Sequence, residues 1–99
     1  MIILKSISAF SFLNLIKTNN IPILDLRDRV AYSKYHFTNS ICIPYPYLST
    51  YYHTLSKSIT YYLLCEEGNH SQKAYHFLES KGYNVINVDG GIIGVKAYL

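Results

Sequence analysis

Short apolar runs alternate with segments of helical periodicity along the chain. The first run, residues 2–4, is a candidate strand. Ser8 then stands where a helix can be capped, and Ala9, Phe12, Leu13 and Ile16 share one face of a helix running to Lys17. Asn19 and Asn20 mark a turn. Residues 21–26, IPILDL, read as a strand whose Pro22 belongs near its start or on an unpaired edge. Asp28 can cap a short helix over 29–34, and 40–43 form the next short strand. In IPYPYL the residue before each proline avoids the helical region, so this segment is expected to be a loop. Residues 48–55 follow as a turn or two of helix.

The second half of the chain has clearer periodicity. Residues 59–64, ITYYLL, are β-branched, aromatic and apolar, as expected of a central strand. Residues 69–81 form the best helix: Asn69 is placed as N-cap with Gln72 three residues on, and Ala74, Phe77 and Leu78 line one face. Gly82 can take the left-handed conformation that ends it. Residues 85–88 are the last strand, and Gly90–Gly91 turn the chain into a final short helix reaching Ala97. Strands alternating with helices favour βαβ units and a parallel sheet.

Length and composition narrow the choices. Ninety-nine residues make one domain, 1–99, and bury roughly two-thirds of the surface of the unfolded chain, enough for a core. With 49% hydrophobic and 15% charged residues, the chain is globular and not disordered. The net charge is +3 and the lysines and arginines are scattered, so no basic stripe points to nucleic acid. No window reaches the ~18 apolar residues of a membrane span, and the apolar start lacks a basic leader and a small-residue cleavage site. Two cysteines, Cys42 and Cys65, carry no CxxC or metal spacing, although one bridge between them is conceivable. A reduced, cytoplasmic setting is expected, with neither nucleic acid nor membrane as a partner. His70 and His76 lie six apart on one helix and face different directions, so no metal site is expected.

The chemistry centres on LLCEEGNHSQKAYHFL, residues 63–78. Cys65 stands where a strand ends and a glycine-containing loop leads into a helix. Ligands of parallel α/β sheets bind beyond the carboxyl ends of the strands. Backbone N–H groups of residues 66–71 can curl around the sulfur there. Such a nest, with the helix dipole, favours a negative centre, and the thiolate is the reactive form of cysteine. Equally, a lone cysteine at a strand end is commonly a small core residue. Cys42, between Ile41 and Ile43, fits that second description and is read as structural. On this reasoning alone, both roles remain open for Cys65.

The stretch CEEGNHSQKAYHFLESKGY resembles the active-site segment of rhodanese-like domains, which runs Cys-x-x-Gly-x-Arg-Ser into a helix and a Lys-Gly-Tyr turn. Here these positions are Cys65, Gly68, His70 and Ser71, then Lys81, Gly82 and Tyr83. Upstream, ILDLRD and YSKYHFTNSICIPY resemble the family's Asp-x-Arg strand end and its Tyr-x-x-Gly-His-Ile-Pro-Gly-Ala stretch, matching Asp25, Arg27, Tyr32, His36 and Ser40. NVINVDGGI resembles the final strand and Gly-Gly turn. The resemblance spans residues 21–95 in the right order.

The resemblance implies a three-layer α/β/α fold around a five-stranded parallel sheet. It also implies sulfur transfer with no cofactor. Cys65 would take sulfane sulfur from a donor as a persulfide and pass it to a thiol or protein acceptor. The binding loop would be Glu66, Glu67, Gly68, Asn69, His70 and Ser71, supported by Asp25, Arg27 and His36. Rhodanese-like domains also include non-catalytic binding or regulatory modules, which is the alternative role, and a redox-sensing thiol is a third.

The chain departs from the family pattern at several places. His70 replaces the loop arginine, Tyr35 replaces a glycine, and Val95 lies near the place of an aromatic residue that often follows the Gly-Gly turn. Glu66 and Glu67 stand where enzymes acting on thiosulfate often carry basic or neutral residues. A carboxylate about 7 Å from a thiolate costs roughly 0.6 kcal/mol in water and about 2.4 kcal/mol at an effective dielectric near 20. A helix N-terminus returns ~0.3–2 kcal/mol. The two acids therefore argue against a small dianion as donor and favour a protein persulfide or another less charged one. A phosphatase loop would need arginine six positions after the cysteine, and Ser71 is there instead.

Overall fold

The computed structural model describes residues 3–99. Five strands, β1 (Ser6–Ile7), β2 (Ile23–Asp25), β3 (Ser40–Cys42), β4 (Thr60–Leu64) and β5 (Asn84–Val88), form one sheet in the order β1-β5-β4-β2-β3. Every pairing is parallel. The helices α1 (Ala9–Thr18), α2 (Arg29–Lys34), α3 (Leu48–Tyr51) and α4 (Asn69–Ser80) fill the connections, and α5 (Gly91–Lys96) follows the last strand. The parallel α/β architecture expected from the alternating pattern is the one observed.

Alternation along the strands sorts the core into two layers. On one face Leu24, Tyr61, Leu63 and Val85 meet Ala74, Tyr75 and Leu78 of α4, with Leu48 of α3 beside them. On the other, Ile23, Leu64 and Val88 meet Phe12 and Leu13 of α1 and Ile92 and Val95 of α5. Adjacent strand residues thus serve opposite layers, which requires strands buried on both faces.

Side-chain caps fix the starts of α1 and α2. The Ser8 side chain accepts a hydrogen bond from the Ser11 amide, and the Asp28 carboxylate accepts one from Ala31. Three boundaries differ from expectation. The first strand is Ser6–Ile7, while the expected strand at 2–4 lies partly outside the described residues. It is placed by backbone pairing to Asn87 and Val88 and not by apolar content. The expected loop at IPYPYL instead contains a 3-10 turn, Tyr45–Tyr47. Finally, α4 is capped by Gly68 in a left-handed conformation, and Asn69 is its first helical residue with no capping-box bond. Among the described residues no helix is long and apolar enough to cross a membrane.

Candidate functional site

Cys65 follows directly on β4, and the chain at once leaves the sheet. The Gly68 amide donates to its Sγ at 3.0 Å and the Ser71 amide at 3.4 Å. Both donors belong to the turn entering α4, so the sulfur accepts the hydrogen bonds that the helix start would otherwise lack. This explains why Asn69 is not the cap. Gly68 sits at φ +99°, and an added Cβ would lie 3.2 Å from the Gly90 nitrogen. A side chain there would meet both backbone strain and crowding. The Ser71 side chain is buried and donates to the Gly68 carbonyl at 3.1 Å, closing the turn.

A second layer supports this loop from below. The amides of Ile92 and Ile93 donate to the carbonyls of Cys65 and Glu66 at 2.8 and 3.1 Å. Gly91, at φ +62°, presses so closely that a Cβ there would fall 2.5 Å from the Cys65 carbonyl oxygen. The Gly90–Gly91 turn noted in the sequence is therefore part of the site's frame.

The other residues expected at the site divide into three groups. Glu66, Glu67, Asn69 and His70 are exposed around the sulfur, while only 3% of the Cys65 surface reaches solvent. Asp25 and Arg27 are buried as an ion pair, with the closest oxygen 2.8 Å from the guanidinium. Arg27 also donates to the Tyr35 carbonyl at 2.6 Å, which ties the β2 end to the segment after α2. Burial works against the Arg27 charge, but the hydrogen-bonded Asp25 carboxylate and, more weakly, Glu66 outweigh it, so its pKa lies above the ordinary value. His36 makes its contacts within its own segment: its ring stacks on Tyr32 at 4.0 Å and Nδ1 lies 2.7 Å from the Tyr32 carbonyl.

Beside the loop opens a cleft of about 840 Å³. Glu66 and His70 of the loop after Cys65 line it, together with Arg27, Asp28 and Arg29 from the connection after β2. Pro44, Pro46, Tyr47 and Tyr51 contribute the apolar part. Short connections suggest little room for a substrate pocket, and the structure corrects that expectation. The proline-tyrosine segment bounds this room, and it is held to the end of β2 by the Tyr45 amide donating to the Leu26 carbonyl at 2.9 Å. The His70 ring lies flat on Tyr45, with centroids 4.5 Å apart and planes 11° apart. Tyr45 and the cleft prolines are the residues that sequence reasoning passed over; the only signal was the pair of prolines two residues apart.

Cys42 also lines the cleft, half-buried, with its Sγ donating to the Arg27 carbonyl at 3.4 Å. Burial and then the Asp25 charge push its thiol pKa up. Both cysteines are free. Cys42 pairs with Asp25, which pairs on its other side with Leu64, so two interstrand spacings separate the cysteine-bearing strands. Two spacings amount to roughly 10 Å, against the ~7 Å limit for bridging Cα atoms. A disulfide between the two cysteines would require the sheet to move.

Among known proteins, the family model for the rhodanese-like domain matches residues 8–98. A rhodanese-related protein from Thermoplasma volcanium is 31% identical, with a TM-score of 0.86, covering 95% of this chain and 92% of that one. A rhodanese-like domain protein from Staphylococcus aureus is 26% identical, with a TM-score of 0.85, covering 93% and 91%. A possible tyrosine phosphatase from Rhodopseudomonas palustris, 14% identical with a TM-score of 0.80 and coverage of 96% and 81%, shares the fold alone. No curated protein matches the sequence. The left-handed Gly68, the two amides on Cys65 and the Gly-Gly turn beneath them thus sit in a chain that belongs to the rhodanese-like domain family.

Proposed function

We propose that the protein is a sulfurtransferase that carries sulfane sulfur as a persulfide on Cys65. The observation that carries this reading is the convergence of the Gly68 and Ser71 amides on Sγ. Two N–H dipoles and a helix N-terminus directed at one sulfur stabilise charge on it, or on a sulfur bound to it. A core cysteine needs no such donors. The terminal sulfur of a persulfide is an anion at neutral pH and would gain the same stabilisation.

The surroundings bear on the donor. Glu66 walls the cleft and Glu67 stands exposed beside it, so a small dianion approaches against two carboxylates. A persulfide on an uncharged carrier bears at most one negative charge and meets less of this repulsion than a dianion does. Transfer ends on a thiol acceptor approaching through the same cleft. Phosphoryl transfer is disfavoured because Ser71 leaves the loop without a bidentate cation.

The test is direct. The reduced protein is incubated with ethyl persulfide, which carries no carboxylate, and its mass is measured. One added sulfur on Cys65, absent in Cys65→Ser, is the expected result; no addition with any donor sinks the reading. A second reading, a non-catalytic binding module, draws support from the 3% exposure of Cys65. That reading expects an intact fold and no sulfur uptake.

A further inference from the structure

His70 has a setting that a solvated surface histidine does not need. It is the second residue of α4, immediately before the Ser71 amide that bonds Sγ. Its ring forms part of the cleft wall together with Glu66. The flat stack on Tyr45 fixes the plane of the ring, and Tyr45 is itself held by its amide donating to the Leu26 carbonyl at 2.9 Å. A face-stacked imidazole keeps its edge, and therefore both nitrogens, open to whatever enters the cleft. His36 differs, because its Nδ1 is occupied by a backbone carbonyl.

We propose that His70 is the acid–base residue of sulfur transfer, exchanging a proton with the thiol that leaves or enters. This rests on the persulfide reading and names a step within it. The Cys65 thiolate attacks the outer sulfur of a donor R–S–S–H. A bond forms between Sγ and that sulfur, and the donor's S–S bond breaks. The electron pair of the broken bond leaves on the inner sulfur, which takes a proton from the His70 imidazolium and departs as R–SH. Neutral His70 and Cys65–S–S–H remain, and the persulfide proton is then lost to water. In the second half the persulfide takes its proton back from water, and neutral His70 removes the proton of the acceptor thiol as it attacks the outer sulfur of Cys65–S–S–H. The S–S bond to Cys65 breaks, the acceptor departs as its own persulfide and Cys65 leaves as the thiolate. No oxidant or reductant is consumed. A permanently charged arginine at position 70 attracts an anionic donor but cannot readily exchange a proton. Histidine suits a donor whose leaving group is a basic alkyl thiolate.

The experiment compares two donors in a single turnover, read as the rate of sulfur addition to Cys65 by quenched mass spectrometry. Ethyl persulfide releases a basic alkyl thiolate, and phenyl persulfide, of the same charge, releases a weakly basic one that needs little help from an acid. His70→Ala is expected to slow the alkyl donor by about 10²-fold, at the lower end of general acid catalysis, and the aryl donor far less. Free imidazole is expected to recover part of the alkyl rate, whereas His70→Arg does not. Equal slowing with both donors, no slowing, or no imidazole rescue each overturns the proposal. Should His70→Ala fail to fold, His70→Gln carries the same two-donor comparison. A parent protein that takes sulfur from neither donor removes the sulfurtransferase reading itself. A parent that loads, with variants indifferent to the leaving group, removes only the role of His70.

Discussion

Replacing Gly91 by alanine probes the frame beneath Cys65. Two costs arise. The left-handed conformation at φ +62° disfavours any Cβ, at about 1–2 kcal/mol. The Cβ would also lie 2.5 Å from the Cys65 carbonyl oxygen and 2.6 Å from that of Glu66, both rigid backbone atoms. Relief of such overpacking costs roughly 1–3 kcal/mol. Together these give about 2–5 kcal/mol, and in a domain of this size each kcal/mol lowers the melting temperature by about 4–8 °C. Gly82→Ala is the matched control: it has φ +90°, but its Cβ would meet nothing closer than the flexible Lys57 side chain at 3.6 Å. Gly82→Ala therefore carries the strain without the clash. Circular dichroism melts of both variants separate the two costs. A parallel alkylation assay should show faster modification of Cys65 in Gly91→Ala, because the displaced carbonyls open the loop. The reasoning is refuted if Gly91→Ala melts no lower than Gly82→Ala, or if Cys65 stays as protected as in the parent.

Three further outcomes are expected. Arg27→Met leaves the buried Asp25 carboxylate unpaired and should cost about 3–5 kcal/mol in urea denaturation, whereas adding Asp25→Leu should recover part of that loss. Asp28→Ala removes the acceptor for the Ala31 amide at 2.9 Å and should cost about 0.5–2 kcal/mol by the same measurement. Burial, followed by a bond to Glu79, pushes the Tyr75 hydroxyl pKa up, so the folded state holds this proton more tightly than the unfolded chain. The resulting stability is complete below about pH 10 and fades as pH climbs above it, and Tyr75→Phe should flatten that decline in melts taken across the alkaline range.

The site was legible where its chemistry is local. Cys65, Gly68 and the helix after them form one continuous stretch, whereas the buried ion pair of Asp25 and Arg27, expected only as supporting residues, emerges from the fold. Asp28 announced α2 because a cap acts within three residues. What the sequence withheld depends on distance along the chain. Tyr45 reaches His70 across 25 positions, and no periodicity links them. The cleft draws its lining from separate stretches around residues 26–29, 42–51 and 66–70, which the fold brings together. The first strand was misplaced because an edge strand of two residues is defined by its neighbour's free hydrogen bonds. Gly68 displaced Asn69 as the cap because the nearby sulfur supplied the acceptor that a capping side chain usually provides.

The sheet order has a consequence for biogenesis. β5 lies between β1 and β4, and α5 carries the amides that hold the Cys65 and Glu66 carbonyls, yet both elements come late in the chain. A ribosome translating this message would have delivered the thiol well before the segment that shields it. During that interval the carbonyls of Cys65 and Glu66 would lack the amides that hold them. Only when residues 84–96 clear the exit tunnel could the first strand dock and the sulfur acquire its enclosure.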